Sequence, residues 1–279
     1  NFMSIELKEL TPEEKAKSYA KYYYLEPVKP ESVTYELIQA GKPMDPAKAL
    51  PIENLNDLLN PGYMEVETGY CVLPNGAGYV AVNTKMPGVS VDMINWWYAW
   101  HGLEDLRYKI WWPQGHFGIA ISEEDRRTVL DPNTPMTLKF QGITHHVIED
   151  VGGGAENIAI SFLTPEDFGF DIKRFKSPNA GTLVAANGLS VRTDAPPDAP
   201  KIPAAMCHFI REIEGGIEYR SRFWLGYQIV DKKPKLLLPP GVRVPEIAPF
   251  GLAYHNIHEY ANLRALLPKL YAEQKGELL

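Results

Sequence analysis

A run of strand-like segments separated by turn residues fills the middle of the sequence, and one long helical pattern follows it. Residues 66–85 read as two strands around a Pro74-Asn75-Gly76 turn. Segments 107–112, 136–149, 156–163, 182–192, 205–214 and 217–230 are rich in Val, Ile, Phe, Tyr and Trp and read as further strands. Asp131-Pro132-Asn133, Gly152-Gly153-Gly154 and Gly215-Gly216 separate them as turns. The closing helix is expected from about Gly251 to Gln274, with a kink or break at Pro268. Strands followed by a helix, without βαβ alternation, predict an α+β fold with an antiparallel sheet. A curved sheet around that helix leaves a cavity against its concave face, and binding sites favour such places.

Ahead of the strands, Thr11-Pro12-Glu13-Glu14 places a capping Thr, a Pro at the first helical position and a Glu three residues after the cap. A helix is expected from there to about Tyr23. Prolines at 27, 30, 43, 46, 51 and 61 make residues 25–65 short helices and loops. Residues 90–101 read as a helix starting at Ser90 or Asp92, and 193–203 as a surface loop. A boundary near Pro87 divides a small N-terminal domain, 1–86, from a larger domain, 87–279.

The net charge of −7 argues against a general nucleic-acid binder. Arg220 with Arg222 is either a local basic patch or a strand edge with solvated cations. Two cysteines, Cys71 and Cys207, are too few for a disulfide framework and point to a reducing compartment, hence the cytoplasm. No apolar run approaches the ~18 residues of a membrane helix. The N-terminus runs into charged residues at once, so no signal peptide is expected. Asn1 and Phe2 read as additions ahead of Met3. Aromatics at 11% suit either a pocket for a flat phenolic ligand or an aromatic-rich core.

Several side chains could carry chemistry. His255 and Glu259 are four apart and share a helix face with Leu252, Leu263, Leu266 and Leu270. A His and a Glu in an apolar stripe are costly unless paired or metal-bound. They form either a metal pair or a His–Glu hydrogen bond on a partly exposed helix; His258 falls on another face and is expected to be exposed. His116 follows the expected strand 107–112, which carries Tyr108, and Trp111 and Trp112 could wall a cavity. On the strand HHVIED, His145, Val147 and Glu149 share one face. If that face is the inner one, Glu149 needs a cation. Two His and two Glu suit Zn²⁺, with non-haem iron as competitor. His208 alternates with Met206 and Ile210 on an inner face, as a core histidine or a proton donor.

Four pieces carry a resemblance: WWYAWHGLEDLRYKIWWPQGHFG, HHVIED, GGIEYRSRFWLG and YHNIHEY, in that order. Over roughly residues 86–262 the chain resembles the phloretin hydrolase / diacetylphloroglucinol hydrolase family. The resemblance implies a zinc-dependent carbon–carbon hydrolase that cuts an acyl group from a phloroglucinol ring. It implies a helix-grip fold, as in birch-pollen allergens and START-like carriers, a smaller N-terminal domain, and a homo-oligomer, dimer or tetramer. It implies His116, Glu149, His255 and Glu259 as zinc ligands. Tyr108 and His208 would bind substrate and take part in catalysis with Glu149, and Trp112 would contact the aromatic substrate. The chain departs at Ile119, where the diacetylphloroglucinol enzyme has Asn; an apolar residue there suits a larger aryl-alkyl acyl chain. The rivals are a non-catalytic carrier of apolar aromatic ligands and a non-haem iron oxygenase.

Overall fold

In the computed structural model, residues 6–279 are described; the expectation for Asn1 and Phe2 ahead of Met3 lies outside them. Thr11 caps a helix α1, Pro12–Lys15, with the full capping box: its hydroxyl accepts from Glu14 N–H, and Glu14 accepts from Thr11 N–H. The expected helix to Tyr23 stops there. A turn follows, then a 3-10 segment, Ala20–Tyr24, whose tyrosines Tyr22 and Tyr23 are buried. Helix α2 is Ser32–Gln39.

The strands β1, Gly69–Val72, and β2, Gly78–Pro87, form the expected hairpin. Helix α3, Val91–Trp100, is capped by the Ser90 hydroxyl. Segment 107–112 is not a strand. Tyr108 sits on a short helix α4, Asp105–Lys109, and Trp111 and Trp112 lie in the turn after it. Its aromatic residues mimic strand composition, but they are buried all round, so the two-sided alternation of a strand is missing. Then come β3, His116–Ala120, α5, Glu123–Leu130, β4, Thr144–Asp150, β5, Ala155–Leu163, α6, Pro165–Phe168, β6, Thr182–Arg192, β7, Ile202–Ile213, and β8, Gly216–Leu225. Strands β9, Tyr227–Val230, and β10, Lys233–Leu236, pair separately. The start of segment 136–149 is a 3-10 turn, Met136–Lys139.

Eight strands form one antiparallel sheet in the order β1-β2-β8-β7-β6-β5-β4-β3. The chain crosses from β2 to the far edge at β3 and meanders back to β8. Pro87 is the last residue of β2, which pairs with β8 over its whole length, so segments on both sides of Pro87 share the sheet.

Helix α7, Ile247–Glu273, runs through Pro268 without ending. Leu263, Leu266, Leu267 and Leu270 are buried on either side of the proline and hold the helix against the core. That packing outweighs the roughly 3 kcal/mol that an interior proline costs. One face of the sheet packs on α3 and α7 through Tyr98, Val184, Ile210, Tyr219 and Tyr260. The opposite face is covered by the 3-10 segment Ile52–Leu59 and by Phe168 and Phe170, packed on Cys207, Phe209 and Trp224.

Arg220 and Arg222 belong to that covered face. They are neither a basic patch nor a solvated edge, because β8 lies inside the sheet. Both are fully buried and share the carboxylate of Glu67 at 2.8–3.0 Å. No helix among the described residues is long and apolar enough to cross a membrane.

Candidate metal centre and its cavity

Three segments of chain converge at one end of the concave face. On β4, His145 and Val147 are buried and His146 and Ile148 exposed, so Glu149 is on the inner face. Directly across the ladder from Glu149 is His116 of β3. The register shifts between His116 and Gly118, and Phe117 is 37% exposed. This bulge sets His116, rather than Phe117, opposite Glu149. From α7, His255 and Glu259 project one turn apart toward the same point.

The turn before β3 is drawn tight. His116 N–H donates to the Trp112 carbonyl at 3.0 Å, and Asp150 N–H to the Gly115 carbonyl at 2.9 Å. A Cβ on Gly115 would lie 2.5 Å from the Trp112 ring and 3.1 Å from His255 Cε1, so only glycine fits.

His116, Glu149, His255 and Glu259 each bring one ligand atom into a cluster spanning no more than 4.8 Å. Nε2 of His116 is 3.4 Å from Nε2 of His255, and both lie 2.9 Å from Glu259 Oε2. Glu149 Oε2 is 3.5 Å from each Nε2. His116 is 1% exposed and His255 3%.

The other ring nitrogens decide what this cluster can hold. His116 Nδ1 is 3.3 Å from the Tyr108 carbonyl, and His255 Nδ1 is 3.0 Å from the Asp150 carbonyl. Nδ1–H donating to a carbonyl leaves a lone pair on each Nε2. With both imidazoles neutral, four acceptors then face one another in a buried space, a group that could hold a metal ion. Burial alone would lower the His255 pKa, but Glu259 and Glu149 outweigh it and raise it to about 10. Burial would likewise raise the Glu259 carboxyl, and His255 and His116 hold it down instead. The donor set, two imidazoles and two carboxylates with anchored Nδ1 atoms, fits a divalent metal.

Aromatic side chains pack around the cluster. Tyr108 stacks on His116 at 4.1 Å between centroids and donates its hydroxyl to Glu149 Oε2 at 2.6 Å. Burial and Glu149 raise its pKa well above the usual value, so it stays a donor. Trp111 meets His116 edge-on and donates Nε1–H to the Glu259 carbonyl at 2.9 Å. Trp112 meets His255 edge-on and stacks on His258, which is half-buried rather than exposed. Ile119 is buried beside Val147, two residues beyond the bulge.

The cavity extends from Glu149, His255 and Glu259 into the concave face, past Trp111, Phe162 and Met206. His208 lines it, with Nδ1 2.7 Å from Ser221 Oγ and Nε2 3.1 Å from Tyr260 OH. Burial lowers its pKa to about 3, so the ring is neutral. Behind it the hydroxyls of Tyr98, Tyr219 and Tyr260 are mutually hydrogen-bonded. Of the two tryptophans expected to wall a cavity, Trp111 lines it and Trp112 packs on His255. Sequence reasoning passed over Tyr98, Tyr260 and His101, which also line it. The spacing of Tyr98 and His101 on one helical stretch was the available signal, but it did not say which sheet face the helix covers.

A family model described as the DAPG hydrolase PhiG domain matches residues 50–272. Phloretin hydrolase from Eubacterium ramulus is 39% identical over 269 residues, covering 94% of this chain and 92% of that protein. 2,4-Diacetylphloroglucinol hydrolase from a Pseudomonas species is 28% identical over 268 residues, covering 92% of this chain and 88% of that protein. The enzyme of the same name from Pseudomonas protegens is also 28% identical, covering 92% and 84%.

Proposed function

The chain belongs to the DAPG hydrolase family, and from that premise we propose that it is a zinc-dependent hydrolase of acylphloroglucinols. It cuts the carbon–carbon bond between the acyl group and the phloroglucinol ring and releases a carboxylic acid. The observation that carries the reading is the buried meeting of His116, Glu149, His255 and Glu259 beside an aromatic-lined cavity.

An aryl ketone does not break by carbonyl attack alone, because an aryl carbanion is a poor leaving group. Protonation of the ring carbon that bears the acyl group removes this obstacle by giving a dienone. The oxygen of water then bonds to the acyl carbon. The carbon–carbon electron pair returns to the ring, where the oxygens ortho and para to the acyl position spread the charge. The products are the deacylated phenol and the acid.

The side chains suit these steps. Glu149 takes the proton from water as general base, with its carboxylate held by the Tyr108 hydroxyl. Tyr108 and His208 orient the ring hydroxyls and pass the proton to the ring carbon. Ser221 and Tyr260 fix the His208 ring for that task. Trp111 and Phe162 give the cavity apolar aromatic walls for a flat ring. Zinc held by His116, Glu149, His255 and Glu259 supplies Lewis-acid polarisation of oxygen and a lowered pKa for water.

The sheet curved around α7 is read as a helix-grip arrangement, and the active species as a cytoplasmic homo-oligomer, dimer or tetramer. The family resemblance supports both readings.

Incubation of the purified protein with phloretin and with diacetylphloroglucinol under nitrogen, with mass identification of the released acid, tests the reaction. Elemental analysis of the same sample tests the metal. Acid release without oxygen, with zinc near one per chain, is expected. Iron with oxygen consumption would make it an oxygenase, and tight binding without turnover or metal would make it a carrier.

A further inference from the structure

Two histidines in the cavity have no part in the metal cluster. His101, at the end of α3, and His145, on β4, are each 2% exposed and both line the cavity. His101 Nδ1 lies 2.8 Å from the Trp97 carbonyl, which fixes Nδ1 as the donor and leaves Nε2 an acceptor. The His145 side chain makes no hydrogen bond among the described residues. Its ring meets His101 edge-on at 5.1 Å and Phe162 at 4.9 Å. Both residues line the cavity, with His145 Nε2 close against Gly102.

An uncommitted imidazole in an apolar cavity is expensive unless a ligand completes it. Burial lowers both pKa values, that of His145 to about 3, so both rings are neutral at pH 7. His145 therefore offers one N–H donor beside the His101 acceptor. A hydroxyl group satisfies both at once: it donates to His101 Nε2 and accepts from His145. A carboxylate or a ketone oxygen satisfies only one, because neither carries a proton for His101.

The position of the pair says which hydroxyl. His145 and Glu149 lie on the same face of β4, four residues and so roughly 13 Å apart along the strand. Val147 and Ile160 make the wall between apolar. A group at His145 is thus well removed from the bond that breaks. With the phloroglucinol ring at Tyr108 and His208, the arm that reaches His145 is the acyl arm.

We propose that His101 and His145 form a subsite for a phenolic hydroxyl on the acyl arm, making the preferred substrates hydroxyaryl-alkyl ketones of phloroglucinol. This assignment rests on the acylphloroglucinol reading above. It fits phloretin, whose acyl arm ends in a phenol, and leaves the acetyl arms of diacetylphloroglucinol too short to reach the pair.

The test compares phloretin with its analogue lacking only the acyl-arm hydroxyl, in the wild type, His145→Phe and His145→Gln. The wild type is expected to favour phloretin by roughly 10- to 100-fold in kcat/KM, mainly through KM. In His145→Phe the preference should collapse, the loss in kcat/KM falling on phloretin more than on the analogue, and His145→Gln should restore part of the preference. An unchanged preference in His145→Phe overturns the proposal, as does an equal loss on both substrates. Calorimetric binding of para-hydroxyphenylpropanoate and phenylpropanoate to the metal-loaded wild type reads the subsite without turnover. A hydroxyl preference there, with no acylphloroglucinol cleaved, supports the subsite and overturns the reaction. No preference in binding overturns the subsite whatever is cleaved.

Discussion

His116 and Glu149 are direct cross-strand partners, and the bulge at Phe117 is what puts them side by side. Without the extra residue, strict alternation from Ile119, which shares the inner face with Val147, would turn Phe117 inward and His116 outward. A single irregularity in the shortest strand of the eight-stranded sheet, apart from β1, thus selects an imidazole over a phenyl ring.

Replacing either imidazole should therefore abolish the centre. His116→Ala and His255→Ala are expected to lose bound metal and to lower kcat by at least roughly 1,000-fold, the several kcal/mol that a metal contributes to charge stabilisation. Phe117→Ala, by contrast, removes an exposed side chain and should keep both metal and activity. Elemental analysis and steady-state rates on folded protein read the difference; a metal-replete, active His255→Ala would refute the ligand assignment.

Tyr108→Phe separates holding the metal from doing the chemistry. It deletes the 2.6 Å hydrogen bond to Glu149 but keeps the ring that stacks on His116. Metal content should stay near wild type while kcat falls roughly 10- to 100-fold. Equal kcat in the two proteins would remove Tyr108 from the mechanism.

Chelation should destabilise the wild type and spare His255→Ala. At free metal about 1,000 times Kd, binding contributes about 4 kcal/mol to stability. For a domain of this size that is a fall in Tm of roughly 10 °C on metal removal. Scanning fluorimetry with and without chelator measures it, and equal shifts in both proteins would contradict a single centre at His255.

Away from the cavity, Glu67 makes a pH prediction. Burial alone would raise its carboxyl, but Arg220 and Arg222 bring it down to about 2. The folded pKa thus lies below the ordinary value of about 4.3, so the stabilisation is complete above that value and fades as pH falls toward 2. It amounts to about 3 kcal/mol at neutral pH. Glu67→Gln should cost about that much at pH 7, and the gap between the two proteins should shrink by about half at pH 3. Urea denaturation at the two pH values gives the gap; a gap independent of pH would show that Glu67 is not the titrating group.

Gly102 tests the distal pair from the backbone side. A Cβ there would lie 2.6 Å from His145 Nε2, so Gly102→Ala must push the ring aside. A destabilisation of about 1–3 kcal/mol is expected, with the preference for phloretin over its deoxy analogue reduced. An unaltered preference would mean that the ring position does not matter.

The strands with period-two patterning were legible in the sequence. Residues 182–192 coincide with β6, and the placing of Met206, His208 and Ile210 on one face matches the burial of β7. The same rule grouped Glu149 with His145 and Val147 and left open which face was the inner one, which the burial of β4 decides. The cluster of His116, Glu149, His255 and Glu259 was also reachable, because the i, i+4 pair on α7 and the strand alternation are local signals. What failed was local composition without periodicity. Segment 107–112 has the residues of a strand and the fold of a short helix, because tertiary burial on every side erases the pattern. Arg220 and Arg222 misled in a related way: read as a basic patch or a solvated strand edge, they lie on a face that only the position of β8 within the sheet, a long-range fact, shows to be covered. His101, at the end of α3, and His145 of β4 meet ring to ring across the fold, which no short-range spacing encodes.

The sheet is open, with β1 at one margin and β3 at the other. Helix α7 rests on β1 and β2 and yet sends His255 and Glu259 to meet residues of β3 and β4. One helix therefore spans the gap that backbone pairing leaves unclosed, and it holds the far margin without a ladder, through His255, Glu259 and the packing of Gly251 on Val151 and Gly152. The active centre is in this sense the clasp of the barrel-like shell: whatever loosens His255 or Glu259 from their partners unfastens the wall around the substrate as well as the chemistry.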